Sequence, residues 1–424
     1  MQTLALRLYG ENDLRLERFD LPQPNDDEIL AEIVSNSICM SDHKAAAQGG
    51  KHKRVPDDCA TNPIILGHEF CGRLMQVGRK WRDQFKPGQK FAIQPALSMP
   101  GREHLAPGYS YPHIGGHATH VIIPAEVMER GCLLPYNGDA FFKASLAEPV
   151  SCIIGAFKSN YHYQAGTYVH EMNIRPGGAM AVLAGAGPMG LSSVDLALHG
   201  AIRPGVLVVT DIDQGRLDRA ASIFTPAEAA GLGVALHYVN TAAAADPVAE
   251  LRALTAGGKG YDDVFVFAPV APLVEQASAL LGLNGCLNFF AGPTKTDFSA
   301  WMNFYDVHYM GHHVVGSSGG NMEDLQDALR LMGDDKINPA VMVTHVGGID
   351  AAADTTIRLP SIPGGKKLVY THIALPMTAI ADFAAQGQTD PLFARLDEIC
   401  VRHNGLWSFE AEQHLLAHAK PLAG

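Results

Sequence analysis

The residues with the clearest chemical capacity in this chain are Gly185, Ala186, Gly187, Pro188, Met189 and Gly190. They follow the apolar run Ala179–Ala184 and open an amphipathic segment. Gly185, Gly187 and Gly190 therefore fall where a strand turns tightly into a helix, lets backbone approach a pyrophosphate, and exposes helix N–H groups to it. Twenty-one residues past Gly190, Asp211 ends the next apolar strand, Val206–Thr210. A carboxylate there accepts hydrogen bonds from both adenosine ribose hydroxyls and repels a 2′-phosphate, which favours NAD(H) over NADP(H). Arg216, five residues on, is placed either to stack on adenine or to attract a 2′-phosphate. The bland alternative for the loop is a glycine-rich turn in an α/β domain with no ligand.

A second constellation lies upstream. Cys39 sits in Ser37-Ile38-Cys39-Met40-Ser41-Asp42-His43, and His68-Glu69 follows 29 residues later. A soft thiolate, an imidazole and a carboxylate are ligand types that Zn²⁺ takes at a catalytic site with one position left open. Singly, none is informative, since a lone cysteine is most often a small core residue. The seven cysteines are an odd number in a long chain and do not resemble a disulfide framework.

The elements that must position these groups come in two styles. A length of 424 residues allows two or three domains, and 47% apolar against 18% charged residues is enough for ordinary packed cores. The formal charge of −12 argues against a chain that condenses on nucleic acid or an anionic membrane through its whole surface. No apolar run approaches the ~20 residues of a membrane span, and the N-terminus lacks the build of a signal peptide, so the expectation is a cytoplasmic protein. Residues 1–155 are dense in turn residues around short β-rich runs (Ile29–Val34, Lys90–Ile93, Thr119–Ile123), which predicts a mostly antiparallel β domain. From 156 to 318, short apolar strands alternate with helix-like segments, the pattern of a parallel, doubly wound α/β sheet. Residues 319–372 contain a helical segment, Asp324–Leu331, and strand-like Val341–His345 and Lys367–Tyr370. Residues 373–424 form an appendage with helical pieces at Asp390–Val401 and Phe409–Ala419, expected to pack on a partner subunit or to cap the chain's own core.

Taken in order, Cys-x-Ser-Asp at 39–42, Gly67-His68-Glu69, Gly-Gly-His-Ala-Thr-His-Val-Ile-Ile-Pro at 115–124, Leu-Ala-Glu-Pro at 146–149 and the 185–190 loop resemble the zinc-dependent medium-chain alcohol/polyol dehydrogenases. The resemblance implies an α/β protein with a GroES-like, mostly-β catalytic domain at 1–155. It implies an NAD-binding Rossmann domain at 156–318 and a return to the catalytic domain at 319–372. Carried over by position, it makes Cys39 and His68 zinc ligands, and Glu69 either a ligand or the neighbouring carboxylate that exchanges with one. Glu148 matches the position where polyol dehydrogenases keep a glutamate, so Cys152 is the wrong candidate. Ser41 matches the hydroxyl that relays the alcohol proton; the bland alternative is a helix N-cap or turn hydroxyl. Many relatives hold a second, structural zinc on four closely spaced cysteines, but residues 94–118 contain none, so one catalytic zinc is expected. The family habit further implies a homodimer or homotetramer.

Between the zinc motifs lies Lys51-His52-Lys53-Arg54, with Lys44 upstream, in an otherwise acidic chain. Such a loop either binds a substrate phosphate or is a solvated surface segment. A closer similarity, in Cys39–Lys44, Asn303–His313, Lys336–His345 and Asn404–Ser408, is to the ketose-phosphate reductases of the same family. It implies reversible reduction of L-sorbose 1-phosphate to D-glucitol 6-phosphate in sorbose catabolism. The alternatives are a dehydrogenase of a non-phosphorylated polyol or secondary alcohol, a zinc-independent quinone reductase of the same fold, and a non-catalytic dinucleotide-binding protein.

Overall fold

A computed structural model describes residues 1–422, and the chain divides into two compact units. The first comprises Met1–Glu148, Asn321–Gly333 and the residues from Val343 onward; the second comprises Pro149–Gly320 and Asp334–Met342. The division falls inside the helix Ala147–Ser159, seven residues before the change of style read from composition.

The first unit is built on an eight-stranded sheet. Its order is Thr378–Ala379, Val343–Gly348, Lys366–Tyr370, Ile29–Ile38, Glu69–Val77, Lys90–Ile93 and Leu133–Tyr136, with His120–Ile123 also paired to Ile29–Ile38. Every pairing is antiparallel except Val343–Gly348 with Lys366–Tyr370. Alternation sets the core: Ile29, Ala31 and Ile33 point inward with Phe70, Leu74, Phe91, Val121 and Ile123. A smaller sheet joins Asp13–Asp20, Gln2–Gly10 and Ile64–Ile65.

The C-terminal helices Pro391–Arg402 and Phe409–His418 belong to this same unit. Trp407 is fully buried and donates from Nε1 to the Tyr370 hydroxyl at 2.8 Å. Glu412 accepts from the backbone N–H groups of Phe141 and Phe142 at 2.7 and 2.8 Å and from the Tyr370 hydroxyl at 2.9 Å. The appendage thus caps the chain's own core. Burial pushes the Glu412 carboxyl up to about 7, against the pull of those three donors.

The second unit carries a six-stranded, all-parallel sheet in the order Ala235–Asn240, Val206–Asp211, Ala179–Leu183, Tyr261–Val266, Leu281–Phe289 and His313–Gly316. The central strands are buried on both faces, which is why they read as continuous apolar runs. Ala235–Asn240 is an edge strand of mixed polarity and half-buried side chains, so it carried no such signal. The hairpin Tyr161–Tyr163/His170–Met172 was equally silent in the sequence. Among the described residues, no helix is long and apolar enough to cross a membrane.

Candidate metal centre and nucleotide loop

Cys39 is the N-cap of the helix Met40–Gln48. The Asp42 side chain reaches back to accept from the Cys39 N–H at 2.9 Å, so the first turn holds the cysteine in place. His68 ends the segment before the strand Glu69–Val77. Gly67, at φ +99°, makes the bend, and a Cβ there would lie 2.9 Å from the His117 ring. Packing brings the two segments together: His68 Nδ1 donates to Asp42 Oδ1 at 2.8 Å, which leaves Nε2 as the ring atom that can ligate.

Among the described residues, one group of side chains can gather around a metal ion, with the donor atoms of Cys39, His68 and Glu69 all within 4.8 Å of one another. Glu148, in the first turn of Ala147–Ser159, places Oε2 4.0 Å from His68 Nε2. Glu69 is buried, its Oε1 paired with the Lys366 ammonium and its Oε2 left without a hydrogen-bond partner. Burial opposes charge on Lys366, but the Cys39, Glu69 and Glu148 groups outweigh it and hold the ammonium above its usual range. Burial likewise opposes charge on His68, and Asp42 reverses the effect and raises the imidazole well above its usual value. A cysteine sulfur, an imidazole nitrogen and a carboxylate brought together, with Glu148 beside them, are ligand types that suit a divalent cation, and Glu69 Oε2 is a buried acceptor that such an ion would satisfy.

Ser41 lies in the first turn after Cys39, where its Oγ accepts from the Tyr109 hydroxyl at 2.8 Å. Tyr109 is buried, its oxygen 3.4 Å from His68 Nε2 and its ring 4.8 Å from the His68 ring. Burial, with the Asp42 and Cys39 charges nearby, pushes its phenol well above the usual range. Of the four basic residues of the candidate phosphate site, Arg54 packs its guanidinium 5.4 Å from the centre of the Tyr109 ring. Lys51 is exposed and pairs with Glu11, and Lys53 is exposed beside it. Lys44 sits half-buried on the Cys39 helix. Burial first, and then Arg54, Lys53 and Lys44, lower the His52 imidazole, so these cations share one neighbourhood.

Sequence reasoning assigned no role to Asp42, Tyr109 or Lys366. For Asp42 there was a signal, an acidic residue three positions after the cap. For the other two there was none.

In the second unit the loop 185–190 links the strand Ala179–Leu183 to the helix Pro188–His199, with Gly187 as N-cap and Pro188 and Met189 in the first turn. A Cβ on Gly190 would lie 2.2 Å from the Gly185 carbonyl oxygen, so helix and strand meet there as closely as backbone allows. Nothing lies within 4 Å of the Cβ position at Gly187, which leaves the helix N-terminus open to a ligand. Asp211 ends the strand Val206–Asp211, buried, with Oδ1 accepting from the N–H groups of Ile212 at 2.8 Å and Asp213 at 3.2 Å. Arg216, on the helix Gln214–Ile223, is half-exposed, with Nε 4.0 Å from Asp213.

Comparison with known proteins agrees with this geometry. Residues 25–131 match the model of the alcohol dehydrogenase GroES-like domain, and residues 188–334 that of the zinc-binding dehydrogenase domain. The chain is 52% identical over 420 residues to the L-sorbose 1-phosphate reductase of Klebsiella pneumoniae, covering 99% of this chain and 98% of the relative. It is 49% identical over 415 residues to the mannitol-1-phosphate 5-dehydrogenase of Aliivibrio fischeri, covering 98% and 97%. In fold it is similar to the 2R,3R-butanediol dehydrogenase of Bacillus subtilis, with a TM-score of 0.69 at 20% identity over 87% of this chain and 99% of that one. With both domain models matched in order and half its residues shared with full-length relatives, this chain belongs to the zinc-dependent medium-chain alcohol and polyol dehydrogenase family.

Proposed function

We propose that this protein is a zinc- and NAD(H)-dependent reductase that interconverts L-sorbose 1-phosphate and D-glucitol 6-phosphate in the cytoplasm, as a homo-oligomer. The observation that carries the substrate is the full-length, 52% likeness to an L-sorbose 1-phosphate reductase. The cations gathered around His52, at Lys44, Lys53 and Arg54, are what a phosphate ester needs.

Bound metal supplies Lewis acidity to a carbonyl or alkoxide oxygen, and bound nicotinamide accepts or gives the hydride. Cys39, His68 and one or both of Glu69 and Glu148 would hold the metal, while Asp42 keeps the His68 ring in the ligating orientation. Ser41 relays a proton through its Oγ: its hydrogen goes to the substrate oxygen and is replaced from solvent in reduction, with the opposite flow in oxidation. Lys366 neutralises Glu69 whenever the carboxylate does not ligate. Arg54 and Lys44 take the phosphate, Lys53 and Lys51 standing further out on the exposed loop. The open N-terminus at Gly187 takes the pyrophosphate, and Asp211 takes the adenosine ribose.

The test is oxidation of NADH and of NADPH by zinc-loaded protein with L-sorbose 1-phosphate or free L-sorbose. The reverse reaction is followed with D-glucitol 6-phosphate and with mannitol 1-phosphate, each with and without a chelator. Chelator-sensitive, NADH-linked turnover of L-sorbose 1-phosphate far above free L-sorbose is expected. Equal turnover of both sugars, or a preference for mannitol 1-phosphate, would overturn the substrate.

A further inference from the structure

Tyr109 occupies a place beside the metal centre that its loop, Pro100–Thr119, does not advertise. Its ring packs against two imidazoles, centred 4.8 Å from His68 and, stacked, 5.8 Å from His52, with the Arg54 guanidinium 5.4 Å from the ring centre. The backbone beneath it is pressed onto the metal-binding segment. A Cβ on Gly108 would lie 2.0 Å from the Gly67 carbonyl oxygen and 2.9 Å from the His68 Cα. The phenol therefore has little freedom to swing, and its hydroxyl is directed at Ser41 Oγ, 2.8 Å away, and toward the ligating face of His68 at 3.4 Å.

A serine hydroxyl has one hydrogen to give and two lone pairs to receive with. Because Tyr109 donates to Ser41, the hydrogen of Ser41 is left for a different acceptor. We propose that Tyr109 is a positioning residue for the reaction: held by the ring stack, it donates to Ser41 and so turns the Ser41 hydrogen toward the substrate oxygen. This rests on the function proposed above for the assignment of Ser41, and goes beyond it in naming what orients that hydroxyl. Without the phenol, the serine hydrogen is free to rotate away, and the proton that neutralises a developing alkoxide arrives less often in line.

The test is a double-variant cycle of Tyr109→Phe and Ser41→Ala in zinc-loaded protein, run on the best carbonyl substrate of the unaltered chain. That choice makes a wrong sugar bear on the proposed substrate alone. Tyr109→Phe keeps the ring and removes only the hydroxyl. It is expected to lower kcat about 10- to 100-fold while leaving zinc content, NADH affinity and melting temperature unchanged. Ser41→Ala is expected to slow the reaction at least as much, and the pair to be no slower than Ser41→Ala alone, because Tyr109 acts through Ser41. A second readout needs no turnover. The affinity of the polyol product for the NADH complex, followed by NADH fluorescence, should fall in Tyr109→Phe, with no further fall when Tyr109→Phe is added to Ser41→Ala. Multiplicative losses in the cycle, an unaffected kcat in Tyr109→Phe, or loss of zinc from that variant would each overturn the proposal.

Discussion

The His68 imidazole gives its Nδ1 proton to the Asp42 carboxylate at 2.8 Å, with both side chains buried. The second Asp42 oxygen takes the Cys39 N–H, so one carboxylate ties the Cys39 and His68 segments of the chain together. Asp42→Asn keeps the size but has one acceptor oxygen where His68 Nδ1 and the Cys39 N–H need two. Zinc affinity is expected to fall about 10- to 100-fold. Competition against a chromogenic chelator measures this directly, and an unchanged affinity would remove Asp42 from the site.

The basic loop separates into residues with different duties. Arg54 lies against the wall of the centre through Tyr109, whereas Lys51 is exposed and already paired with Glu11. Arg54→Ala should raise KM for the phosphorylated sugar by about tenfold or more and leave the free sugar unaffected, since only the ester presents oxygens for charge-assisted hydrogen bonds. Lys51→Ala should change neither by more than about twofold, as for an exposed ion pair. Steady-state kinetics on both sugars decides between loop positions, and equal effects of the two substitutions would return the whole segment to solvent.

Glu412 makes the C-terminal helices sensitive to pH. Its folded value is raised to about 7 from the ordinary carboxylate range, so the folded state binds its proton more tightly than the unfolded chain does. That contribution is fully present below the unfolded value and is lost as pH rises through about 7. Glu412→Gln cannot satisfy the two N–H groups of Phe141 and Phe142 together, and a cost of about 1 to 3 kcal/mol is expected. The deficit of the variant against the unaltered chain should be larger at pH 5 than at pH 8. Urea unfolding at the two pH values reads both effects, and a deficit that grows with pH would contradict the assignment.

Asp211 keeps one carboxylate oxygen on the N–H groups of Ile212 and Asp213, which leaves the other for a ligand. Asp211→Ser removes the negative charge that would meet a 2′-phosphate. The ratio of kcat/KM with NADPH to that with NADH should rise by about tenfold or more, with Arg216 nearby to gain from it. A ratio that does not move would assign the selectivity elsewhere.

The glycine-rich strand-to-helix turn at 185–190 was legible because its information is local. Gly185 to Gly190 is a strand, a turn and a helix start within a few residues, and each glycine answers a steric demand set by its immediate neighbours. Cys39, His68 and Glu69 were recognisable as ligand types in a family order, and Asp42 left a trace in its spacing from the helix cap. The alternation of the parallel sheet was also plain, since strands covered on both faces must be apolar throughout. The edge strand Ala235–Asn240 escaped for the converse reason: half its surface faces water, and its composition follows that exposure.

What the tertiary structure alone decided are contacts between segments far apart in the chain. Tyr109 meets Ser41 across 68 residues, Glu412 meets Phe141 across 271, and Lys366 meets Glu69 across 297. Each is a single polar group whose partner is chosen by how sheets and loops pack, and no periodicity or spacing along the chain encodes such a choice. Residue types therefore declared which chemistry was available to this protein, while long-range packing selected the side chains that orient it: a burial-driven collapse brings them together, and buried polar groups persist only where it supplies them a partner.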